Sequence, residues 1–235
     1  MRGLFITGTD TGVGKTVVTA AVARWLRRQG APVRVCKPVA TGGRLVEGVC
    51  RCEDTERLAA AVGHEQTLAE ITPWAFIEAV APPVAARLAG KVLTLTDVAQ
   101  AVRANARPEA SLLVEGVGGL LCPLTERTTV ADLIEELGLP VVVVARRSLG
   151  TLNHTLLTLE VSRTRGLNVA GVVVNETAPS AGLADTTNVE ELRQRIEVPL
   201  LAVVPWQPDG RDEVANALAA VDWRRLCQPM SERRA

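Results

Sequence analysis

The sequence has no excess of charge of either sign. Lys and Arg together number 26, Asp and Glu together also number 26, and the formal net charge at pH 7 is zero. Proteins that bind nucleic acid usually carry a basic excess or a basic stripe. The charge balance therefore argues against nucleic-acid binding, while it leaves room for a local basic pocket that binds phosphates.

Long apolar runs are also missing. No run reaches the roughly 18–20 residues that a helix needs to cross a bilayer. The chain passes from Met1 almost directly into a glycine-rich segment that begins at Gly8. This leaves no room for the apolar core and cleavage site of a signal peptide. We therefore expect a cytoplasmic protein without a membrane partner.

The side chains of a zinc site are few and scattered. The sequence has five cysteines and two histidines, and His64 stands far from His154. Cys50 and Cys52 form a close pair, but no second Cys or His pair follows at the spacing of a zinc site. We expect free thiols.

Short β-branched runs alternate with longer segments of helical period, which is typical of an α/β fold: a parallel sheet flanked by helices. Strands are predicted at residues 4–7, 33–36, 112–115, 141–145, 170–175 and 200–204. Helices are predicted at residues 15–29, 54–62, 95–106, 130–137, 152–165, 188–196 and 212–226. No linker or repeat interrupts this alternation, so residues 1–235 are predicted to form a single domain.

Two stretches depart from the alternation. Residues 41–53 are rich in Gly and Arg and are interpreted as a loop. Residues 72–90 contain Pro73, Pro82 and Pro83 and are interpreted as an irregular excursion. Long loops within a compact α/β domain are often functional.

The strongest functional signal is the segment GTDTGVGKT at residues 8–16, between the first predicted strand and the first predicted helix. Glycines let backbone amides turn toward phosphates, and the helix N-terminus adds partial positive charge. Lys15 would reach the terminal phosphates and Thr16 would bind magnesium. Five residues separate Gly8 from Gly14, one more than in the common phosphate loop. The context favours a P-loop NTPase-like fold over an ordinary glycine-rich turn.

Four motifs in order resemble the dethiobiotin synthetase family. They are GTDTGVGKT at 8–16, CKPVATG at 36–42, VEGVGG at 114–119 and LGTLNH at 149–154. The last third of the chain matches only in short pieces, at residues 174–175 and 204–206. The motifs follow predicted parallel strands, at the edge where open α/β sheets bind ligands.

The resemblance implies a ligase that depends on ATP and Mg2+. Its substrates would be 7,8-diaminopelargonate and CO2 or bicarbonate, and its product the ureido ring of dethiobiotin, formed through a carbamic-phosphoric anhydride. The family is a homodimer in which the segment at residues 149–154 reaches the neighbour's substrate site. The weak match in the last third leaves ATP and other triphosphates, such as CTP, unranked.

The resemblance also implies roles for single residues. Lys37, Lys15 and Thr11 would be catalytic. Nucleotide binding would involve Gly12, Val13, Gly14, Lys15, Thr16, Val17, Asp54, Glu115, Gly116, Val117, Gly118, Asn175, Glu176, Val204, Pro205 and Trp206. Substrate binding would involve Thr41, Lys37, Gly118, Leu149, Gly150 and Asn153.

Magnesium prefers hard oxygen ligands, which favours Thr16, Asp54 and Glu115 as its protein ligands. Three of the assigned residues have an ordinary structural alternative. Asp54 could cap the helix that follows it, Lys37 could be a solvated surface lysine, and Asn175 could belong to an ordinary turn.

Two other functions fit parts of the pattern. Amide-forming ligases such as the cobyrinate amidases use the same scaffold, but they carry a glutamine-hydrolysing domain for which the residues after Val204 are too few. Switch ATPases of the partitioning type carry a signature lysine early in the loop, where this chain has Asp10. They also often use basic or amphipathic surfaces, which the neutral charge does not suggest.

Overall fold

The computed structural model describes residues 1–179, 182–206 and 211–229. The strands are β1 (Gly3–Gly8), β2 (Val33–Cys36), β3 (Val39–Ala40), β4 (Arg44–Val46), β5 (Val49–Arg51), β6 (Trp74–Ala75), β7 (Ser111–Glu115), β8 (Val141–Arg146), β9 (Val169–Asn175) and β10 (Leu200–Val204). The helices are α1 (Lys15–Arg28), α2 (Glu53–Ala61), α3 (Leu68–Ile71), α4 (Pro82–Leu88), α5 (Leu95–Asn105), α6 (Val130–Leu137), α7 (Thr151–Thr164), α8 (Leu183–Arg195), α9 (Arg211–Leu218) and α10 (Trp223–Leu226).

The predicted parallel sheet is confirmed. Its six strands lie in the order β10-β9-β8-β1-β7-β2, and every neighbouring pair is parallel. Parallel strands leave all their carboxyl ends at one edge, so the loops that follow β1, β2, β7, β8, β9 and β10 converge there. The fold therefore brings distant motifs together.

Both faces of the sheet are buried, because successive side chains of a strand point to opposite faces. Leu4 and Ile6 of β1 face a core that includes side chains of α1, α2, α9 and α10. Phe5 faces a second core that includes side chains of α5, α6 and α8. The valine run of β8 divides in the same way between the two cores. Two helical layers thus hold the sheet and the loops at its edge.

The helix boundaries follow local signals. Thr129 and Asp132 form a capping box at the start of α6, and Gly138 ends that helix in the left-handed conformation with φ 63°. Such a conformation is costly for a residue with a Cβ, which is why glycine stands there. Thr94 caps α5 by accepting a hydrogen bond from the amide of Asp97 at 3.1 Å.

Two irregular stretches contain regular structure that the sequence reading missed. Residues 41–53 were interpreted as a loop, but β4 and β5 form an antiparallel hairpin there. Its turn residues Glu47 and Gly48 have φ values of 50° and 79°. A hairpin turn of this kind is usually signalled by Asn-Gly or Asp-Gly, so Glu-Gly gave a weak signal.

The proline-rich stretch 72–90 is likewise not wholly irregular. β6 pairs with β3 in a small parallel sheet, and α4 starts with Pro82 and Pro83 in its first turn. Proline is tolerated in that turn, because its missing N–H would have no partner within the helix. The interpretation of this stretch as an irregular excursion was therefore wrong.

Two helix predictions had wrong boundaries. The helix predicted at 188–196 begins earlier, at Leu183. The helix predicted at 212–226 is divided into α9 and α10, because Asp222 starts a new helix by accepting a hydrogen bond from the amide of Arg225 at 3.0 Å. The indole of Trp223 then donates to the carbonyl of Leu218 at 2.9 Å, which folds α10 against the end of α9.

None of the five cysteines, all of which lie in the described ranges, forms a disulfide, in agreement with the expectation. Within the described ranges, the helices are all too short or too polar to cross a membrane.

Candidate active site

A pocket of about 900 Å3 lies at the carboxyl edge of the sheet. It collects segments that follow β1, β2, β7, β9 and β10, together with the first turn of α2 and the chain before α4. The predicted site residues that line it are Thr11, Gly12, Gly14, Lys15, Thr16, Val17, Lys37, Thr41, Asp54, Glu115, Val117, Gly118, Asn175, Glu176, Pro205 and Trp206.

The phosphate loop leads directly into the N-terminus of α1. Gly12 and Gly14 adopt φ values of 71° and 95°, which only glycine adopts without strain. A Cβ at Gly14 would lie 2.1 Å from the side-chain amide nitrogen of Asn175. Gly14 therefore allows the end of β9 to approach the loop, and the free amides of the first helical turn face the pocket.

Lys15 is the first residue of α1, and its ammonium group donates to the carbonyl of Asp10 at 2.9 Å. The pKa of Lys15 is lowered to about 8, chiefly by burial; Glu115 and Asp54 oppose this shift, and Lys37 contributes to it. A bound anion would favour the charged form of this lysine. The loop thus presents a buried amine suited to a phosphate.

Lys37 and Thr16 both donate hydrogen bonds to the same carboxylate oxygen of Glu115. Oε1 of Glu115 accepts hydrogen bonds from Oγ1 of Thr16 at 2.6 Å and from Nζ of Lys37 at 2.8 Å. Lys37 also forms an ion pair with Oδ2 of Asp54. Although the three motifs are distant in sequence, they form one charged cluster beside the phosphate loop.

The charges of this cluster support one another. Burial opposes the charged form of Lys37, but Glu115 and Asp54 outweigh it and raise the pKa of the lysine. For Asp54, burial acts to raise the pKa, and the neighbouring charge of Lys37 outweighs it, so the pKa is lowered. Lys37 therefore stays charged and cannot serve as a base near neutral pH.

The structural alternatives for these residues are wrong. Lys37 is only 5% exposed, so it is not a surface lysine. Its amide is fixed by a 2.8 Å hydrogen bond to the carbonyl of Ile71. Cys52 occupies the N-cap position of α2, and no side-chain cap bond is formed there. The Asp54 carboxylate instead points to Lys37.

The donor set formed by Thr16, Asp54 and Glu115 fits a magnesium ion. Among the described residues, Oε2 of the fully buried Glu115 has no hydrogen-bond partner. A buried carboxylate oxygen without a donor is costly, and a hard cation would satisfy it. The hydroxyl of Thr16 and the carboxylate of Asp54 supply further oxygen atoms of the kind that magnesium prefers.

The opposite end of the pocket is formed by the ends of β9 and β10. Asn175 is 4% exposed, and its side-chain amide donates to the carbonyl of Val13 at 3.0 Å. It is the last residue of β9, so it does not belong to an ordinary turn. Pro205 and Trp206 offer apolar surface beside it.

Six predicted residues do not line the pocket of this chain. Val13 and Val204 are fully buried in the core below it, and a Cβ at Gly116 would lie 3.0 Å from the Phe5 ring. A second group, Leu149, Gly150 and Asn153, lies at the start of α7. The side chain of Leu149 is 84% exposed.

Several lining residues were missed by sequence reasoning: Arg57, Ala79, Val80, Ala81, Pro82, Cys122, Thr177 and Val214. Arg57 had a usable signal, since it lies three residues after Asp54 on the same helix face. The segment 79–82 gave none, because it lies in a region without a recognisable motif.

Comparison with solved structures identifies the architecture. An ATPase of the ParA family from Chlorobium tepidum superposes with a TM-score of 0.56 at 12% identity, with 97% of each chain covered. The MinC:MinD cell division protein complex of Aquifex aeolicus gives a TM-score of 0.57 at 12% identity, covering 92% of this chain and 86% of the other. At such identities the likeness concerns the fold alone, and it confirms the P-loop NTPase-like fold.

Comparison of sequences is more specific. Residues 2–214 match the family described as AAA domain. The ATP-dependent dethiobiotin synthetase of Anaeromyxobacter dehalogenans is 46% identical over 209 residues, 89% of this chain and 92% of the relative. That of Bacillus licheniformis is 39% identical over 210 residues, covering 89% and 88%. The chain therefore belongs to the family of ATP-dependent dethiobiotin synthetases, which confirms the prediction of an ATP-dependent ligase of the biotin pathway.

Proposed function

We propose that this chain closes the ureido ring of dethiobiotin from 7,8-diaminopelargonate and CO2, with ATP and Mg2+. The observation that carries the proposal is the position of Lys37. It is buried between Glu115 and Asp54 and lies beside a phosphate loop whose Thr16 shares the same carboxylate oxygen. The two relatives named above are 46% and 39% identical to this chain, each over 89% of its length.

The triphosphate would lie on the glycine loop, where backbone amides, the helix N-terminus and Lys15 meet. The base would then extend toward Asn175, Pro205 and Trp206, because this end of the pocket offers an aromatic and apolar surface. The opposite direction leads to charged side chains, which suit the reacting groups of a substrate.

Thr16, Asp54 and Glu115 would hold the magnesium ion, which when bound neutralises charge on the phosphates. Lys37 adds a fixed positive charge at the same place. Its raised pKa keeps it protonated, so it binds and stabilises oxyanions instead of accepting protons.

The reaction needs no side-chain nucleophile. One amine of the diamine attacks CO2 and loses a proton, which gives a carbamate. The carbamate oxygen then attacks the γ-phosphorus of ATP, and the bond to the bridging oxygen breaks to release ADP. The second amine then attacks the carbonyl carbon of the anhydride, loses a proton, and expels phosphate as the ring closes. Holding both amines in one pocket makes the closure effectively intramolecular. We assign Lys37 and Lys15 to the phosphoryl transfer. Thr11, in the phosphate loop, is assigned to hydrogen bonding with the reacting groups, and Thr41 to binding the substrate.

The start of α7 is assigned to a second copy of the chain. Leu149, Gly150 and Asn153 lie outside the pocket of their own chain, and Leu149 and Asn153 are exposed. In a homodimer, the amides of this helix N-terminus would bind the carboxylate of the diamine in the neighbouring site. We assign the reaction to the cytoplasm, in keeping with its ATP requirement.

The decisive experiment measures phosphate release with ATP and Mg2+, and omits diaminopelargonate and bicarbonate in turn. A ligase releases phosphate only when every component is present, and mass spectrometry detects one dethiobiotin per phosphate. A partitioning-type switch ATPase would release phosphate without the diamine, and that result would overturn the proposal. A partitioning-type switch ATPase would carry its signature lysine where this chain has Asp10. The carboxylate of Asp10 forms an ion pair with Arg146 at 2.9 Å, which disfavours that alternative.

A further inference from the structure

Glu176 follows the last residue of β9, and both oxygens of its side chain are already engaged within the protein. Oε1 forms an ion pair with Nη1 of Arg147, and Oε2 accepts a hydrogen bond from the amide of Trp206 at 2.8 Å. The carboxylate is 12% exposed. Because its acceptors are used internally, Glu176 is better suited to hold the wall of the pocket than to read a ligand.

Arg147 follows the last residue of β8, and it connects the ends of three neighbouring strands. Its amide donates to the carbonyl of Asn175 at 3.1 Å at the end of β9. Its guanidinium binds Glu176 and also donates through Nε to the carbonyl of Asp185 in α8. Through Glu176 the connection extends to Trp206, after β10. A rigid, planar guanidinium suits such a junction, because its donors point in fixed directions.

The network reaches one end of the pocket only. Glu176, Pro205 and Trp206 line the end to which the proposed function assigns the base. The phosphate loop is held separately, by the bond from Asn175 to Val13 and by the bond from Lys15 to Asp10. A change in the side chain of Arg147 leaves those bonds in place. The base end and the phosphate end are therefore separable by mutation.

We propose that Arg147 is a positioning residue for the nucleoside: it fixes Glu176, and Glu176 holds Trp206 in the place where it contacts the base. This inference rests on the proposed binding of a nucleoside triphosphate in the pocket. Arg147 acts through Glu176 and does not contact the reacting atoms. Its contribution belongs to the affinity for the nucleoside and not to the chemical step.

The test compares two ligands that share the phosphate groups. Calorimetry with Mg2+ measures the Kd of ATP and of inorganic triphosphate for the full chain and for Arg147→Met. The Kd of ATP should rise on the order of tenfold, the effect of about one charge-assisted hydrogen bond. The Kd of inorganic triphosphate should change by less than about twofold, because the phosphate loop keeps its contacts. In steady-state kinetics, KM for ATP should rise while kcat at saturating ATP stays within about twofold.

Three further variants serve as controls. Arg195→Met removes an exposed ion pair with Glu191 in α8 and should leave both Kd values unchanged. Arg147→Lys keeps a positive charge beside Glu176 and should recover part of the ATP affinity. If Arg147→Met does not fold, the double variant Arg147→Met/Glu176→Gln is measured in its place, because it also removes the carboxylate that Arg147→Met leaves unpaired.

An ATP Kd within twofold of the wild-type value in folded Arg147→Met, or in the double variant that replaces it, would overturn the inference, as would an equal loss for both ligands. Failure of the premise that the pocket binds a nucleoside triphosphate has a different signature. In that case the wild-type chain itself would bind neither ATP nor inorganic triphosphate, whatever residue stands at position 147.

Discussion

Nζ of Lys37 lies 2.8 Å from Oε1 of Glu115, although 78 positions separate the two residues in the sequence. The bond joins the ends of β2 and β7, which are neighbours in the sheet. It satisfies one oxygen of a fully buried carboxylate, while the other oxygen has no hydrogen-bond partner in the part of the chain that the structure describes. The pair therefore combines a fixed cation with an acceptor that suits a second cation, as a phosphoryl-transfer site requires.

Removal of the Lys37 ammonium should separate binding from catalysis. In Lys37→Met, kcat for dethiobiotin formation should fall on the order of 100- to 1000-fold, the usual cost of losing one group that stabilises developing charge. ATP should still bind, because the phosphate loop is unchanged. Product formation by mass spectrometry and the Kd of ATP by calorimetry measure the two effects.

Lys91→Met serves as the matched control for that variant, because Lys91 is exposed and lies outside the pocket. Circular dichroism must establish that Lys37→Met is folded, since Glu115 loses its buried partner. Undiminished turnover in a folded Lys37→Met would remove Lys37 from the mechanism.

Glu115→Gln should change the response to magnesium. The amide keeps the size of the side chain but lacks the charge that a divalent cation requires. The Mg2+ concentration that gives half-maximal phosphate release should rise about 10- to 100-fold, as for other changes at metal-site residues. A titration of activity with Mg2+ at constant ATP measures the shift. Glu126 forms an exposed ion pair with Arg87, so Glu126→Gln serves as the control. Its activity should depend on the Mg2+ concentration as that of the wild type does. Identical curves for Glu115→Gln and the wild type would refute the assignment.

Two glycines of the phosphate loop should respond differently to alanine. Both have positive φ, so each substitution introduces backbone strain of about 1–3 kcal/mol. A Cβ at Gly14 would also collide with the side chain of Asn175 at 2.1 Å, whereas nothing lies within 4 Å of a Cβ at Gly12. ATP affinity and the urea midpoint should therefore fall further in Gly14→Ala than in Gly12→Ala. Equal losses in the two variants would mean that the contact with Asn175 is unimportant.

The cap of α6 should become ineffective in acid. Asp132 accepts hydrogen bonds from the amide and hydroxyl of Thr129, each at 2.6 Å, and pairs with Arg165 at 2.7 Å. Burial acts to raise the pKa of Asp132, but these partners outweigh it and lower the pKa to about 2. A lowered pKa in the folded state stabilises the fold above the unfolded pKa of about 4, and this stabilisation is lost as the pH falls toward 2.

Asp132→Asn should therefore lower the free energy of unfolding at pH 7 by about 1 kcal/mol, a figure already reduced for solvent screening. Urea unfolding at pH 7, 4 and 3 measures the difference between the two proteins. The difference should shrink with decreasing pH. A difference that stays constant from pH 7 to 3 would show that the ionised carboxylate does not contribute.

The sequence revealed features that depend on local signals. The loop at residues 8–16 and the apolar strands were recognised because each depends on neighbouring residues. Where the local signal was weak, the prediction failed. The Glu47-Gly48 turn lacks the residues that usually predict a hairpin. The break between α9 and α10 at Asp222 lies within a continuous helical pattern.

The candidate site was predicted in part. The sequence offered Lys37, Asp54 and Glu115 as separate candidates, and it left a structural alternative open for Lys37 and for Asp54. Their bonds to one another required the strand order of the sheet, which no local pattern specifies. The partnership of Arg147 with Glu176 was missed for the same reason, because these residues follow two adjacent strands and belong to no common motif.

The sequence by itself determined the phosphate loop, the alternation of strands and helices and the family of the chain, because these are encoded in the identity and spacing of nearby residues. Only the tertiary structure decided which charges share an oxygen atom, which candidates are buried and which lie outside the pocket. The physical reason is that charge pairing and burial depend on distances between strands, and those distances exist only after the sheet has assembled.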